Sequence, residues 1–174
     1  MRKLEKMSNL SQRQVHTLDP VFNSDCKVLV LGSFPSPKSR EIGFYYGNPQ
    51  NRFWSVLSRL YNTSIASDNQ SRAEFCLDRH IGLWDVLHSC EIVGASDASI
   101  ENVEVNDIAS LIKGSSVDTI FTTGNTSYKL YCKYLQDTVG IKAIKLPSTS
   151  PANARWSLDK LVEAYQVVIE AIEK

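Results

Sequence analysis

Short apolar runs alternate with longer amphipathic stretches along this chain. The first run, Cys26 to Leu31, is continuous and rich in β-branched residues, the pattern of a strand buried in a parallel sheet, and Gly32 ends it. After a loop, "NRFWSVLSRLYN" sets Phe53, Trp54, Leu57, Leu60 and Tyr61 at helical spacing, which predicts a helix beginning near Asn51. "SRAEFCLDRHIGLWDVL" predicts a helix and then a short strand, "GLWDVL". Asn106 is the candidate N-cap of a helix "DIASLIKG" that stops at Gly114. "DTIFTTG" is another strand closed by a glycine, with a helix starting near Asn125 or Thr126. A last strand in "IKAIKLPSTSP" leads through a loop to the helix "SLDKLVEAYQVVIEAIEK".

Strand–loop–helix units at this spacing predict an α/β fold with helices on both faces of a mostly parallel, four-stranded sheet. The polar residues 1–20 read as an N-terminal arm, and all 174 residues as a single domain.

Composition narrows the classes. The chain is 43% hydrophobic and 22% charged, with 19 basic and 19 acidic residues and a formal net charge of zero. Neutrality argues against tight non-specific nucleic-acid binding but leaves room for a local basic face. No apolar run is long enough to cross a bilayer. The basic, polar N-terminus lacks the apolar centre of a signal peptide, so a cytoplasmic location is expected. Cys26, Cys76, Cys90 and Cys132 are scattered and unpaired with histidines, so small apolar side chains are expected rather than metal ligands. His16, His80 and His88 are likewise isolated and read as structural.

Ligands of open parallel sheets gather at the carboxyl ends of the strands. Three such loops, "GSFPSPKS…NPQN", "TTGNTS" and "LPSTSPANA", are rich in Ser, Thr, Asn and Pro, and these quoted stretches hold no carboxylate, cysteine or histidine. The phosphate-binding GxxxxGK[ST], the dinucleotide GxGxxG and the nucleophilic GxSxG motifs are all absent. The remaining groups are amides, hydroxyls and aromatic faces, which suit a flat heterocycle: rings stack on it and amides read its edge.

"GSFPS", "YYGNPQNRFW", "GLWDVLHSCEIVGASDASI" and "LPSTSPANA", in that order from Val28 to Asn153, resemble the motifs of the uracil-DNA glycosylase superfamily. The match is to its hypoxanthine-DNA (deoxyinosine) glycosylase branch. The resemblance implies a three-layer α/β/α fold and a monofunctional enzyme of base excision repair. Such an enzyme flips a deaminated base, hypoxanthine or uracil, out of DNA and hydrolyses its N-glycosidic bond with no cofactor or metal. DNA is the implied partner, and nothing in the sequence asks for an oligomer, so a monomer is expected.

Residue by residue, Phe34 stands where a related branch (GINPG) has its catalytic asparagine. A phenyl ring cannot orient water. Asn51 of the downstream "NPQNRFW" matches the asparagine that takes over in the hypoxanthine branch, its amide oxygen holding the attacking water; Asn48 is the second candidate. Sequence physics alone reads Asn51 as a helix N-cap, and the two roles are compatible. Tyr46 matches the aromatic that stacks on the flipped base, or simply packs in the wall. Ser33 is expected to line the same pocket, and Phe34 to line it or simply pack beneath it. Ser148, Thr149 and Ser150 match phosphate contacts, and Pro151 and Ala152 stand where relatives carry a larger wedge. Asn153 is a base-edge or turn residue. Asn125 is a base-edge or cap residue. Asp97 is a general base or a turn residue. Two other readings stay open: a catalytically silent nucleic-acid-binding relative, and a nucleotide- or nucleoside-binding α/β protein.

Overall fold

The first apolar run forms strand β2 (Val28–Gly32), buried at every position in the computed structural model, which describes residues 11–174. Its side chains alternate between two cores: Val28 and Val30 enter one, Leu29 and Leu31 the other. It pairs in parallel with β3 (Ile81–Asp85) on one side and β6 (Thr119–Thr123) on the other, so neither edge is open. β7 (Ala143–Leu146) joins the far side of β6, giving a parallel sheet of order β3-β2-β6-β7.

Helices α2 (Phe53–Leu60), α3 (Asn69–Asp78) and α7 (Leu158–Ile172) cover one face, burying Phe53, Trp54, Leu57, Phe75, Leu161 and Tyr165 in the first core. Helices α4 (Ile108–Ile112) and α5 (Asn125–Tyr134) cover the other through Ile108 and Tyr131. The result is the expected three-layer α/β/α arrangement around four parallel strands. Two short helices, α1 (Pro37–Ile42) and α6 (Gln136–Val139), complete the set among the described residues.

A second sheet departs from the sequence reading. β1 (Gln12–Val15), β4 (Leu87–Ile92) and β5 (Glu101–Val105) form an antiparallel sheet of order β1-β4-β5. Within the expected arm, residues 12–15 are therefore a strand paired to β4, and Leu18 and Val21 are buried; residues 1–10 lie outside the described residues. The expected strand "GLWDVL" divides at Val86. Val86 N–H donates to Gly32 O at 2.8 Å and Leu87 N–H to Ser33 O at 3.1 Å, carrying the chain over the end of β2 into the second sheet. Asn106 pins this corner: its side-chain amide donates to Asp85 O (2.9 Å) and Leu87 O (3.1 Å). It is therefore not the cap of α4, a role taken by Asp107, whose carboxylate accepts from Ser110 N–H at 3.1 Å.

Candidate functional site

The loops that follow β2, β4, β6 and β7 open into a cleft of about 1060 Å³, with Asp85 of β3 also in its lining. Three of these loops are the Ser/Asn-rich segments, and the fourth, after β4, brings in Ser96 and Asp97.

Ser33 and Phe34 form one wall at the end of β2. Phe34 is buried, with the His16 ring edge-on at 6.0 Å and the Arg40 guanidinium 5.5 Å from its centroid. Ser33 Oγ donates to the Asp97 carboxylate, 3.3 Å from each oxygen. Asp97 as a residue is exposed, but partial desolvation of its carboxylate against the cleft wall raises its pKa above the ordinary value; the Ser33 bond opposes this, and the nearby Asp85 charge adds to it.

Tyr46 supplies the aromatic face. Its ring stacks on Phe53 with centroids 3.8 Å apart and planes 14° from parallel, and its hydroxyl lies 3.4 Å from Thr123 Oγ1. Its backbone sits at φ +52°, a left-handed conformation that costs a non-glycine residue energy and is held by the surrounding packing. Burial pushes its phenol far above the usual titration range, so it stays a neutral donor.

Helix α2 begins at Phe53, two residues beyond Asn51. Asn51 Oδ1 accepts from Phe53 N–H at 2.9 Å and from Thr149 Oγ1 at 2.8 Å. The Phe53 N–H requires an acceptor, which fixes the amide's orientation. Both lone-pair directions of the oxygen are then occupied, and Nδ2 is the atom left for a ligand. Asn48, also in the lining, folds back on its own loop, its Oδ1 accepting from Gln50 N–H at 2.9 Å.

The loop after β7 forms the opposite wall with Ser148, Ser150, Pro151, Ala152 and Asn153. Thr149 does not face outward as a phosphate contact would: it is 2% exposed and its hydroxyl is turned onto Asn51. Asn153 stabilises the loop through Nδ2, which donates to Ser148 O at 2.9 Å. Asn125 stands at the cleft rim as the first residue of α5, whose cap is Gly124, and its Oδ1 accepts from Lys145 Nζ at 3.0 Å.

Three contributors were not legible in the sequence. Arg52 clamps the last loop, donating to the carbonyls of Ser150 (3.0 Å), Asn153 (3.1 Å) and Trp156. Asp85 and His16 meet at the cleft floor, Nε2 to Oδ2 at 2.8 Å, so His16 is far from isolated. Asp85 reads in sequence as an ordinary strand position, and only the corner at Val86 exposes it as a strand end.

The chain matches the uracil DNA glycosylase superfamily over residues 20–172. A hypoxanthine DNA glycosylase from Methanosarcina barkeri is 36% identical over 93 residues, 53% of this chain and 59% of that protein. One from Methanosarcina acetivorans is 28% identical over 141 residues, 80% of this chain and 89% of its own length. The solution NMR structure of a candidate uracil DNA glycosylase from Methanosarcina acetivorans superposes with a TM-score of 0.78 at 27% identity, over 94% of this chain and all of the other. With its fold, its strand-end cleft and a match along nearly its whole length, the chain belongs to the uracil DNA glycosylase superfamily.

Proposed function

We propose that this protein is a DNA glycosylase that removes a deaminated base, hypoxanthine first and uracil second, from DNA. The observation that carries the reading is Asn51, fixed by Phe53 and Thr149 in the wall of a cleft that also presents Tyr46. The names of the two Methanosarcina relatives support hypoxanthine as the base.

A target base leaves the duplex at a cost of a few kcal/mol, lowest where it is mispaired. It enters the cleft beside Tyr46, with Ser33 and Phe34 lining the same wall. Asn51 Nδ2 donates to the oxygen of a water and so fixes it against C1′ of the sugar. As the C1′–N bond breaks, its electron pair leaves with the base and the sugar becomes oxocarbenium-like. The water oxygen then bonds C1′, the base takes up a proton, and the water gives one up. Because the Asn51 oxygen already accepts two hydrogen bonds, the water's proton needs another acceptor. Asp97, a lining carboxylate whose proton affinity is raised by partial desolvation, takes that role.

Duplexes carrying a single deoxyinosine or deoxyuridine, treated with the protein and then with alkali, test this. Strand breaks at inosine are expected. No break on either substrate would overturn the glycosylase reading, and salt-dependent binding without breaks would point to a silent DNA-binding relative. Asn51→Ala should slow single-turnover excision by about 100- to 1,000-fold, the scale of losing one preorganised polar group. Full activity in that variant would remove Asn51 from the mechanism while leaving the function intact.

A further inference from the structure

The cleft continues beyond the groups that excision uses. Along β7 its lining reaches Ile144, and it takes in Ala164 and Val167 of α7. Ile144 stands in register with Phe121 of β6, on the face that α7 covers, yet it is 41% exposed. Lys160, Ala164 and Val167 follow one another at helical spacing, so one stripe of α7 borders this apolar seam with an exposed lysine at its end.

The seam runs beside an open sheet edge. β7 is the outer strand of the parallel sheet, and Leu146 O faces inward, accepting from Gly124 N–H at 2.8 Å. Backbone groups alternate sides along a strand, so Ala143 and Lys145 aim their N–H and C=O outward. Among the described residues no backbone group meets them. The opposite edge of the same sheet differs. There Val21 closes β3, exchanging two backbone bonds with Leu83 at 2.9 and 2.8 Å. One edge is satisfied within the fold, and the other is left as a template for a further strand.

Charge decides what that edge accepts. Thr119 to Pro147 hold four lysines and one aspartate, in a chain with no net charge. Lys142 and Lys145 are exposed, and no described carboxylate pairs with either. Lys145 lies over the Tyr128 ring of α5, 5.7 Å from its centroid, on the face opposite Ile144. A second copy of this chain laid along the edge would set lysines against lysines, which disfavours self-pairing. A foreign strand of period two answers both faces at once. Its apolar side chains meet Ile144, Ala164 and Val167, and its carboxylates meet Lys145.

We propose that the outer edge of β7, with the α7 seam beside it, is a docking site for an extended segment of a partner protein in which apolar and acidic residues alternate. The segment joins the sheet as an added strand, its main chain bonding Ala143 and Lys145. The proposal stands apart from the excision chemistry and does not need it.

Fluorescence anisotropy with a labelled peptide of alternating valine and glutamate, long enough to span β7, tests this. The peptide should bind at least about tenfold more tightly than a valine–lysine or a serine–glutamate peptide of the same length. In the wild-type complex the Lys145 amide should exchange its hydrogen about tenfold more slowly than in the free protein. Ile144→Asp should weaken binding by about tenfold or more, and so should Ala143→Pro, which removes an outward N–H. Absence of binding, or equal affinity for the three peptides, would overturn the proposal. So would binding that leaves Lys145 exchange unchanged. These readings use the wild type and hold whether or not a variant folds. Full affinity in a folded Ile144→Asp would also overturn it, since the apolar seam would then have no part in binding.

Discussion

Desolvation is the largest influence on Asp97, and it disfavours the charged form that a proton acceptor needs. An acid whose pKa is raised on folding adds stability below its unfolded pKa and loses it as pH climbs through the folded value. At neutral pH the ionised Asp97 therefore costs stability. Asp97→Asn should melt higher than wild type near neutrality, and the gap should close as pH falls below the ordinary carboxylate range. Excision should move the other way, slower by about 100-fold in the variant at neutral pH, the lower end for a lost general base. Wild-type excision should rise with pH through the raised pKa and level off above it. A pH–rate profile that Asp97→Asn leaves unchanged would show that Asp97 does not take the proton. Tyr46 adds a second local cost, since its left-handed backbone is tolerated only because Phe53 and Thr123 hold the ring and hydroxyl in place.

At the scale of elements, the loop after β7 has no regular structure and depends on two anchors. Tyr165 of α7 donates to Pro147 O at 2.6 Å, and Arg52 reaches three carbonyls with one planar fork. A lysine has the charge but not the fork, so Arg52→Lys is expected to lose about 2 kcal/mol. For a chain of this length that lowers the melting temperature by roughly 4–8 °C. Because the same loop holds Thr149 against Asn51, excision should fall by about tenfold or more. A variant with unchanged melting and unchanged rate would show the clamp to be dispensable. These anchors also mark where sequence reading stops. The buried strand β2 and the helices α2 and α7 were legible because their apolar spacing repeats locally. β1 was not: "QRQV" has no apolar period, and its pairing comes from backbone bonds to β4 at an exposed sheet edge. The amides and aromatics of the cleft were visible in the strand-end loops. The His16–Asp85 pair was not, because it joins residues 69 positions apart, one just past β1 of the second sheet and the other at the end of β3 in the first.

Across the whole molecule, 19 basic residues balance 19 acidic ones, so no net field draws DNA in from a distance. Attraction to phosphates must then come from a few cations near the cleft. Among the described residues Lys145 is the one in the lining itself, exposed on β7 and held by Asn125 at the first turn of α5, where free backbone N–H groups also favour an anion. Each phosphate neutralised releases condensed counterions, so the logarithm of the affinity falls with the logarithm of salt at a slope near −0.9 per contact. Lys145→Ala should therefore reduce that slope by about one in a binding titration across salt concentrations. A phosphate contact carries no base information, so the affinity lost should be the same for a deoxyinosine duplex and an undamaged one. If the slope stays put, Lys145 does not meet the backbone. A loss confined to the inosine duplex would place its ammonium on the flipped nucleotide, and the phosphate track would have to be sought elsewhere on the cleft rim.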